Sequence, residues 1–72
     1  MRPYRAPNCL RTYRKHRSMT QFQVAAKAGI GQWNYSDLEC GVRYPRLDVA
    51  RRIAVLFGAT ITTLWPEVGS NE

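Results

Sequence analysis

The sequence predicts an all-α protein, a compact five-helix domain without a sheet, and three observations lead to that prediction. Apolar residues recur at the three- and four-residue spacing of amphipathic helices, and no stretch alternates in the manner of a strand. Glycine or proline separates these helical segments at short intervals. A chain of 72 residues has room for one domain with a small core.

The chain is predicted to open with a basic arm and a first helix. Residues 1–7 contain two prolines and read as a flexible extended segment. Asn8 is a good N-cap for a helix that runs to about Arg17. Leu10 and Tyr13 are expected to face the core, because they are spaced three residues apart on that helix.

The second and third helices are predicted on either side of a glycine turn. Thr20 is expected to cap a helix over residues 21–28, and Gly29 stands where a left-handed residue would end it. Gly31 is an acceptable N-cap for a third helix over residues 32–40.

Two further helices are predicted in the C-terminal half. Gly41 closes the third helix, Pro45 keeps the next loop from becoming helical, and a fourth helix follows over residues 47–57. Thr60 is expected to cap a short fifth turn over residues 61–65.

These elements predict three parts of the chain. A helix-turn-helix domain is expected over residues 8–66, between the arm over residues 1–7 and a frayed tail over residues 67–72.

Composition and charge limit the classes of function that the sequence allows. The net charge of +6 favours a polyanionic partner, and no acidic residue precedes Asp37, so the cations concentrate in the N-terminal half. No segment approaches the ~20 apolar residues of a membrane span. Cys9 and Cys40 lie far apart in the sequence, and the chain has only one histidine. This composition predicts reduced thiols, no metal site and no cofactor. No catalytic group has an evident partner, so we do not expect an enzyme.

The most informative segment spans residues 20–41. Two helices joined by about four residues that include glycine form the helix-turn-helix pattern. Ala25 is small where the two helices would cross closely, Gly29 permits a positive φ, and Ile30 would fill the gap between the helices.

This segment and its continuation resemble the phage lambda repressor/Cro-like helix-turn-helix domains, also called the Xre family, over about Leu10 to Leu64. The residues that carry the resemblance are Thr20, Gln21, Ala25, Gly29, Ile30, Gln32, Leu38, Glu39, Gly41, Arg43, Pro45 and the run LDVARRIAVLFGATITTL.

The resemblance implies binding to double-stranded DNA, with the third helix in the major groove and the N-terminus of the second at a phosphate. By position, Gln21 and Arg43 would contact phosphates, and Asn34 would approach the backbone. The groove face would carry Gln32, Trp33, Ser36 and Asp37. The resemblance also implies an ion pair between Arg14 and Glu39, whose alternative is two solvated charges.

The chemistry of the groove-face residues leaves alternatives open. Gln32 can read adenine through its amide or remain an ordinary solvated residue. Trp33 can pack on a thymine methyl or sugar, or cap the hydrophobic core. Asp37 can accept from cytosine N4 or take no part in recognition.

Two departures from the family pattern are Tyr35, in place of an aliphatic residue, and Cys40, in place of Asn. The predicted third helix also lacks Lys and Arg, so affinity would come from basic flanks, including Arg2 and Arg5 of the arm.

The leading hypothesis is a small cytoplasmic, nucleoid-associated regulator of bacterial or phage type, which binds a palindromic operator as a homodimer. The dimer contact would use C-terminal apolar residues, namely Phe57, Ile61, Leu64 and Trp65. The runner-up is an antirepressor or antitoxin that docks a protein partner through its aromatic third helix.

Overall fold

Five helices make up the part of the chain that the structure describes. The computed structural model describes residues 7–66, and the predicted tail and all of the predicted arm except Pro7 lie outside them. The helices are α1 (Leu10–His16), α2 (Gln21–Ala28), α3 (Gln32–Cys40), α4 (Leu47–Phe57) and α5 (Ile61–Leu64). The predicted all-α fold class is confirmed, and no strand occurs among these residues.

Local chemistry explains where most of the helices begin and end. The Thr20 side chain accepts from the Gln23 backbone N–H, and the Gln23 side chain accepts in return from Thr20 N–H, which satisfies two amides at the start of α2. Gly29 ends α2 with φ +73°, a left-handed conformation that costs little only for glycine. The Thr60 hydroxyl likewise accepts from Thr63 N–H at the start of α5.

The predicted N-cap of α1 was wrong by one residue. Cys9 occupies the cap position and makes no side-chain capping bond. Asn8 still serves the helix start, because its Oδ1 accepts from Leu10 N–H at 3.1 Å. Its amide nitrogen donates at 2.9 Å to the carbonyl of Leu38, which draws the chain before α1 toward the end of α3.

The C-terminal ends of α2, α3 and α4 are each bound by a side chain that is distant in sequence. Arg52 Nη1 donates to the carbonyl of Ala28 at 3.2 Å, at the end of α2. Arg17 Nη2 donates to the carbonyl of Phe57 at 2.7 Å, at the end of α4. Asn8 does the same for α3, so carbonyls left over by each helix find donors.

The core lies among all five helices. Its fully buried large side chains are Leu10, Val24, Tyr35, Ile53, Phe57, Leu64 and Trp65. These side chains fill the interior of a domain that has room for only a small core.

The predicted dimer contact is wrong in three of its four residues. Phe57 is 1% exposed, and Leu64 and Trp65 are 0% exposed, so none of them offers a surface to a second copy. Ile61 alone of the four is only partly buried, and it packs against the core.

The fold holds α3 by one side only. Tyr35, Leu38 and Glu39 are buried, which leaves the opposite face of the helix in solvent.

No helix among residues 7–66 is long and apolar enough to cross a membrane.

The left-handed glycine at the turn gives a stability prediction. In Gly29→Ala the backbone must keep a positive φ, which is strained for alanine. The added Cβ would also lie 3.3 Å from Arg52 Nη1 and disturb the bond that this arginine makes to α2. We expect a loss of about 1–2 kcal/mol in the free energy of unfolding, measured by urea denaturation.

Gly31→Ala is the matched control, because Gly31 has φ −71° and its added Cβ would have only Asn34 Nδ2 nearby, at 3.9 Å. We expect this variant to change the free energy of unfolding by less than about 0.5 kcal/mol. Equal losses in the two variants would contradict a role for the left-handed backbone.

Candidate nucleic-acid interface

The exposed face of α3 gathers the four residues that were predicted to face a groove. Gln32, Trp33, Ser36 and Asp37 are spaced i, i+1, i+4 and i+5, which places them along one side of a helix. Gln32 is exposed, and Ser36 and Asp37 are partly exposed. A helix of this width with polar side chains on its free face fits the major groove of B-DNA.

Trp33 lies in solvent and not in the core. Its side chain is 78% exposed at the second position of α3, so the alternative in which it caps the hydrophobic core is wrong. A large aromatic ring in this position offers an apolar surface next to the amide of Gln32.

Asp37 and Arg43 form an ion pair at the edge of that face. Arg43 Nη2 lies 3.3 Å from Asp37 Oδ2, and both side chains are substantially exposed. The pair joins the loop after α3 to the helix itself and neutralises the acidic group. Asn34 and Arg43 also line one cleft between α3 and the start of α4.

A buried carboxylate, that of Glu39, fixes the opposite face of α3. Its side chain has 0% of its surface exposed, and that of Arg14 has 13%. Arg14 Nε donates to Oε2 at 2.7 Å and Arg14 Nη2 to Oε1 at 3.3 Å, which is the paired geometry of a guanidinium and a carboxylate. The two residues of the predicted pair are thus in direct contact between α1 and α3.

Two more donors reach the same carboxylate, and neither was predicted. The Tyr35 hydroxyl donates to Oε2 at 3.1 Å, and the Gln21 amide donates to Oε1 at 2.7 Å. Tyr35 stands four residues before Glu39, so the helical spacing could have indicated the first contact. The second joins α2 to α3 and has no signal in the sequence.

Gln21 contacts Glu39, and it is also the residue predicted to contact a phosphate. Its side chain is turned toward Glu39 in the structure, while its place at the first position of α2 puts it where helix N–H groups are unpaired. The positive end of that helix suits an anion, so its predicted phosphate contact stays a prediction.

The surroundings of Glu39 shift the pKa of each ionisable group in the cluster. Burial raises the pKa of the Glu39 carboxyl, but the hydrogen bonds from Arg14 and Gln21 lower it by more than burial raises it. The pKa of Glu39 is therefore below its ordinary value. The hydrogen bond to Glu39 raises the pKa of Arg14. Burial, with the nearby carboxylate, raises the pKa of Tyr35. The carboxylate and the guanidinium are both charged at neutral pH.

The remaining predicted contacts are Arg2 and Arg5, which lie outside the described residues. Between residues 7 and 66, no group of three His, Cys, Asp or Glu side chains is placed to hold a metal ion.

Comparison with known proteins gives one positive finding. A family model described as helix-turn-helix, of the Cro/C1 type, matches residues 10–64, which is most of the chain. No curated protein matches the sequence.

The buried pair predicts strong coupling between Arg14 and Glu39. Either Arg14→Met or Glu39→Gln leaves one charged or donating group of the pair without its partner, and each is expected to cost about 3–5 kcal/mol in the free energy of unfolding. The double variant Arg14→Met/Glu39→Gln should recover much of that loss, because no charge is then buried. Urea denaturation of the four proteins gives the coupling.

The exposed pair Asp37 and Arg43 is the control for this cycle, since both of its side chains are in solvent. Its coupling should be only about 0–1 kcal/mol. A coupling of that size for Arg14 and Glu39 would contradict the inference that burial makes their interaction strong.

The lowered pKa of Glu39 also predicts acid sensitivity. A carboxyl whose pKa is lower in the folded than in the unfolded state stabilises the fold above the unfolded value, near 4.5. That contribution is lost as the pH falls from there through the folded pKa. Thermal melts across this range should show a smaller acid-induced loss in Glu39→Gln than in the unmodified protein. The exposed control Asp37→Asn should keep the full loss, and equal slopes in all three would refute the assignment.

Proposed function

We propose that this chain, which belongs to the Cro/C1-type helix-turn-helix family, is a sequence-specific, repressor-like regulator. In this proposal α3 reads the operator. The family consists of DNA-binding transcription regulators, so binding to double-stranded DNA and regulation of transcription are the general function. The finer assignment rests on this chain's own surface.

The observation that carries the proposal is the asymmetry of α3. One face is held by Tyr35, Leu38 and Glu39, and the other presents Gln32 and Trp33 to solvent from the first turn of the helix. A rigidly held helix with an exposed amide at its start is suited to reading base edges.

In this proposal Gln32 contacts a base, and its amide pairs with the N6 and N7 edge of adenine. Trp33 packs on a thymine methyl or on a sugar beside it. Gln21 at the start of α2 and Arg43 in the loop bind phosphates, and Asn34 approaches the backbone between them. Ser36 and Asp37 complete the face toward the groove.

Affinity comes from cations outside α3. That helix holds no Lys or Arg, whereas α1 and the arm before it carry four arginines and one lysine, among them Arg2 and Arg5. Contacts to the phosphate backbone supply affinity without sequence information, and neutral amides then supply specificity. Arg2 and Arg5 are proposed to reach a minor groove or the adjacent phosphates.

A homodimer on a palindromic operator is part of the proposal, because a two-fold protein matches two half-sites one helical turn apart. The contact between its copies must lie outside the core residues Phe57, Leu64 and Trp65, since these are buried within one chain.

One observation favours a second candidate function. The 78% exposed Trp33, on a helix without cations, is also suited to the apolar pocket of a protein partner. In that case the chain acts as an antirepressor or antitoxin that docks through α3.

The two candidates differ in their binding to DNA. A duplex selected from a random pool should bind at least about 10³-fold more tightly than random duplex at equal salt if the chain is a sequence-specific regulator. Equal affinity for selected and random duplex would favour the protein-docking function.

The proposed division of contacts predicts different effects on DNA binding for variants of Gln32 and Arg43. Gln32→Ala should cost about 1–3 kcal/mol on the selected site and relax the preference at one base pair. Arg43→Ala should weaken specific and random duplex alike and reduce the salt slope by about one unit. Fluorescence anisotropy over a salt series measures both.

Arg43→Ala also leaves Asp37 without its cation, so Arg43→Ala/Asp37→Asn serves as its control. A phosphate contact keeps the double variant weak, whereas full recovery would mean that the arginine only neutralises the acid. Identical behaviour of the Gln32 and Arg43 variants would contradict the division of roles.

A further inference from the structure

A shallow groove between α2 and α4 has no part in the proposed contacts with DNA. Its lining combines two apolar residues and three cations, which we call the α2–α4 patch: Lys27, Arg51, Arg52, Val55 and Leu56. Val55 is 82% exposed, more than any other large hydrophobic side chain described, and Leu56 is partly buried beside it.

The cations of the patch are only partly neutralised. Arg52 donates to the end of α2 and lies 3.8 Å from Asp48. Neither Lys27 nor Arg51 has an acidic partner among residues 7–66, although both are exposed. The patch therefore consists of an apolar centre with a positive rim, in which the charges of Lys27 and Arg51 are not neutralised by an acidic residue among residues 7–66.

The patch is also separate from the start of α2. Lys27 lies six residues after Gln21, which corresponds to roughly 9 Å along the helix. The bond from Arg52 to Ala28 places the middle of α4 against this far end of α2. A molecule on the patch would thus occupy the opposite end of α2 from the proposed phosphate contact.

We propose that the α2–α4 patch binds an acidic amphipathic segment of a partner protein. Carboxylates of that segment would pair with Lys27 and Arg51, and its apolar side chains would cover Val55 and Leu56. Phosphates of a duplex would leave the apolar centre uncovered. A second copy related by two-fold symmetry would bring the same cations face to face, which is unfavourable.

The direct test uses a fluorescein-labelled synthetic helical peptide, with leucine at i, i+3, i+4 and i+7 and glutamate elsewhere, and the full chain. We expect saturable binding that weakens as salt is added. A peptide with glutamine in place of every glutamate should bind at least about tenfold more weakly. Equal binding of the two peptides, or none below about 1 mM, which is the range of very weak affinity, would overturn the proposal.

Variants locate the binding on the protein. Lys27→Glu should weaken peptide binding roughly tenfold through like-charge repulsion, while the matched exposed lysine variant Lys15→Glu on α1 should change it little. Val55→Ser should weaken binding several-fold through lost apolar burial, and Leu47→Ser, 62% exposed at the start of the same helix, is its control. Equal effects in a variant and its control would refute the assignment to this patch.

Two further measurements exclude the other occupants. Sedimentation velocity of the chain alone should give the same mass for the unmodified protein and Val55→Ser, and a dimer abolished by that variant would mean that a second copy occupies the patch. Affinity of Lys27→Glu for the selected duplex should stay within about twofold of the unmodified protein, since the patch lies off the proposed interface. A loss as large as that of Gln32→Ala would assign the patch to DNA and overturn the proposal. Failure of DNA binding in every variant would bear on the proposed function and not on the patch.

Discussion

The arrangement of the helices depends on one buried carboxylate. Glu39 accepts hydrogen bonds from Arg14 of α1, Gln21 of α2 and Tyr35 of its own helix, and so joins three of the five helices at a single group. Removing such a group from water is costly, and the attraction to one cation does not by itself repay that cost. What the carboxylate adds is selectivity, since a packing of α1, α2 and α3 that leaves any donor out of reach also leaves a buried charge poorly satisfied.

That constraint bears directly on the face that is proposed to read DNA. Glu39 and Tyr35 fix one side of α3, and this also sets the direction in which the exposed side faces. The exposed side is then free to carry residues chosen for recognition. This separation explains how a helix with two acidic residues and no cation can suit a polyanion: one acid is buried against Arg14, and the other is paired with Arg43.

Much of the fold could be predicted from the sequence, because capping residues, glycine turns and apolar spacing act over a few residues. Thr20, Gly29 and Gly41 mark helix ends where the structure has them. The exposure of Trp33 could not be decided in this way, since an aromatic residue at that position satisfies either a core or a surface pattern.

The contacts for which the sequence carries no local signal join distant parts of the chain. The bond from Gln21 to Glu39 spans two helices, and the burial of Trp65 depends on how α5 returns to the core. Hydrophobicity alone made Phe57, Leu64 and Trp65 suitable for either a core or a dimer surface. Only the small size of the domain favours the core, and size acts on the whole chain and not on any one residue.

The side chains that close the helix ends have a consequence for how the molecule opens. Isolated helices fray from their C-termini, but here the last carbonyls of α2, α3 and α4 are held by Arg52, Asn8 and Arg17, which belong to other elements. A terminal turn can then unwind only if its donor also leaves. Local opening of one helix therefore loosens another, so we expect amide hydrogens in these last turns to exchange with solvent more slowly than those of helix ends that no other element binds.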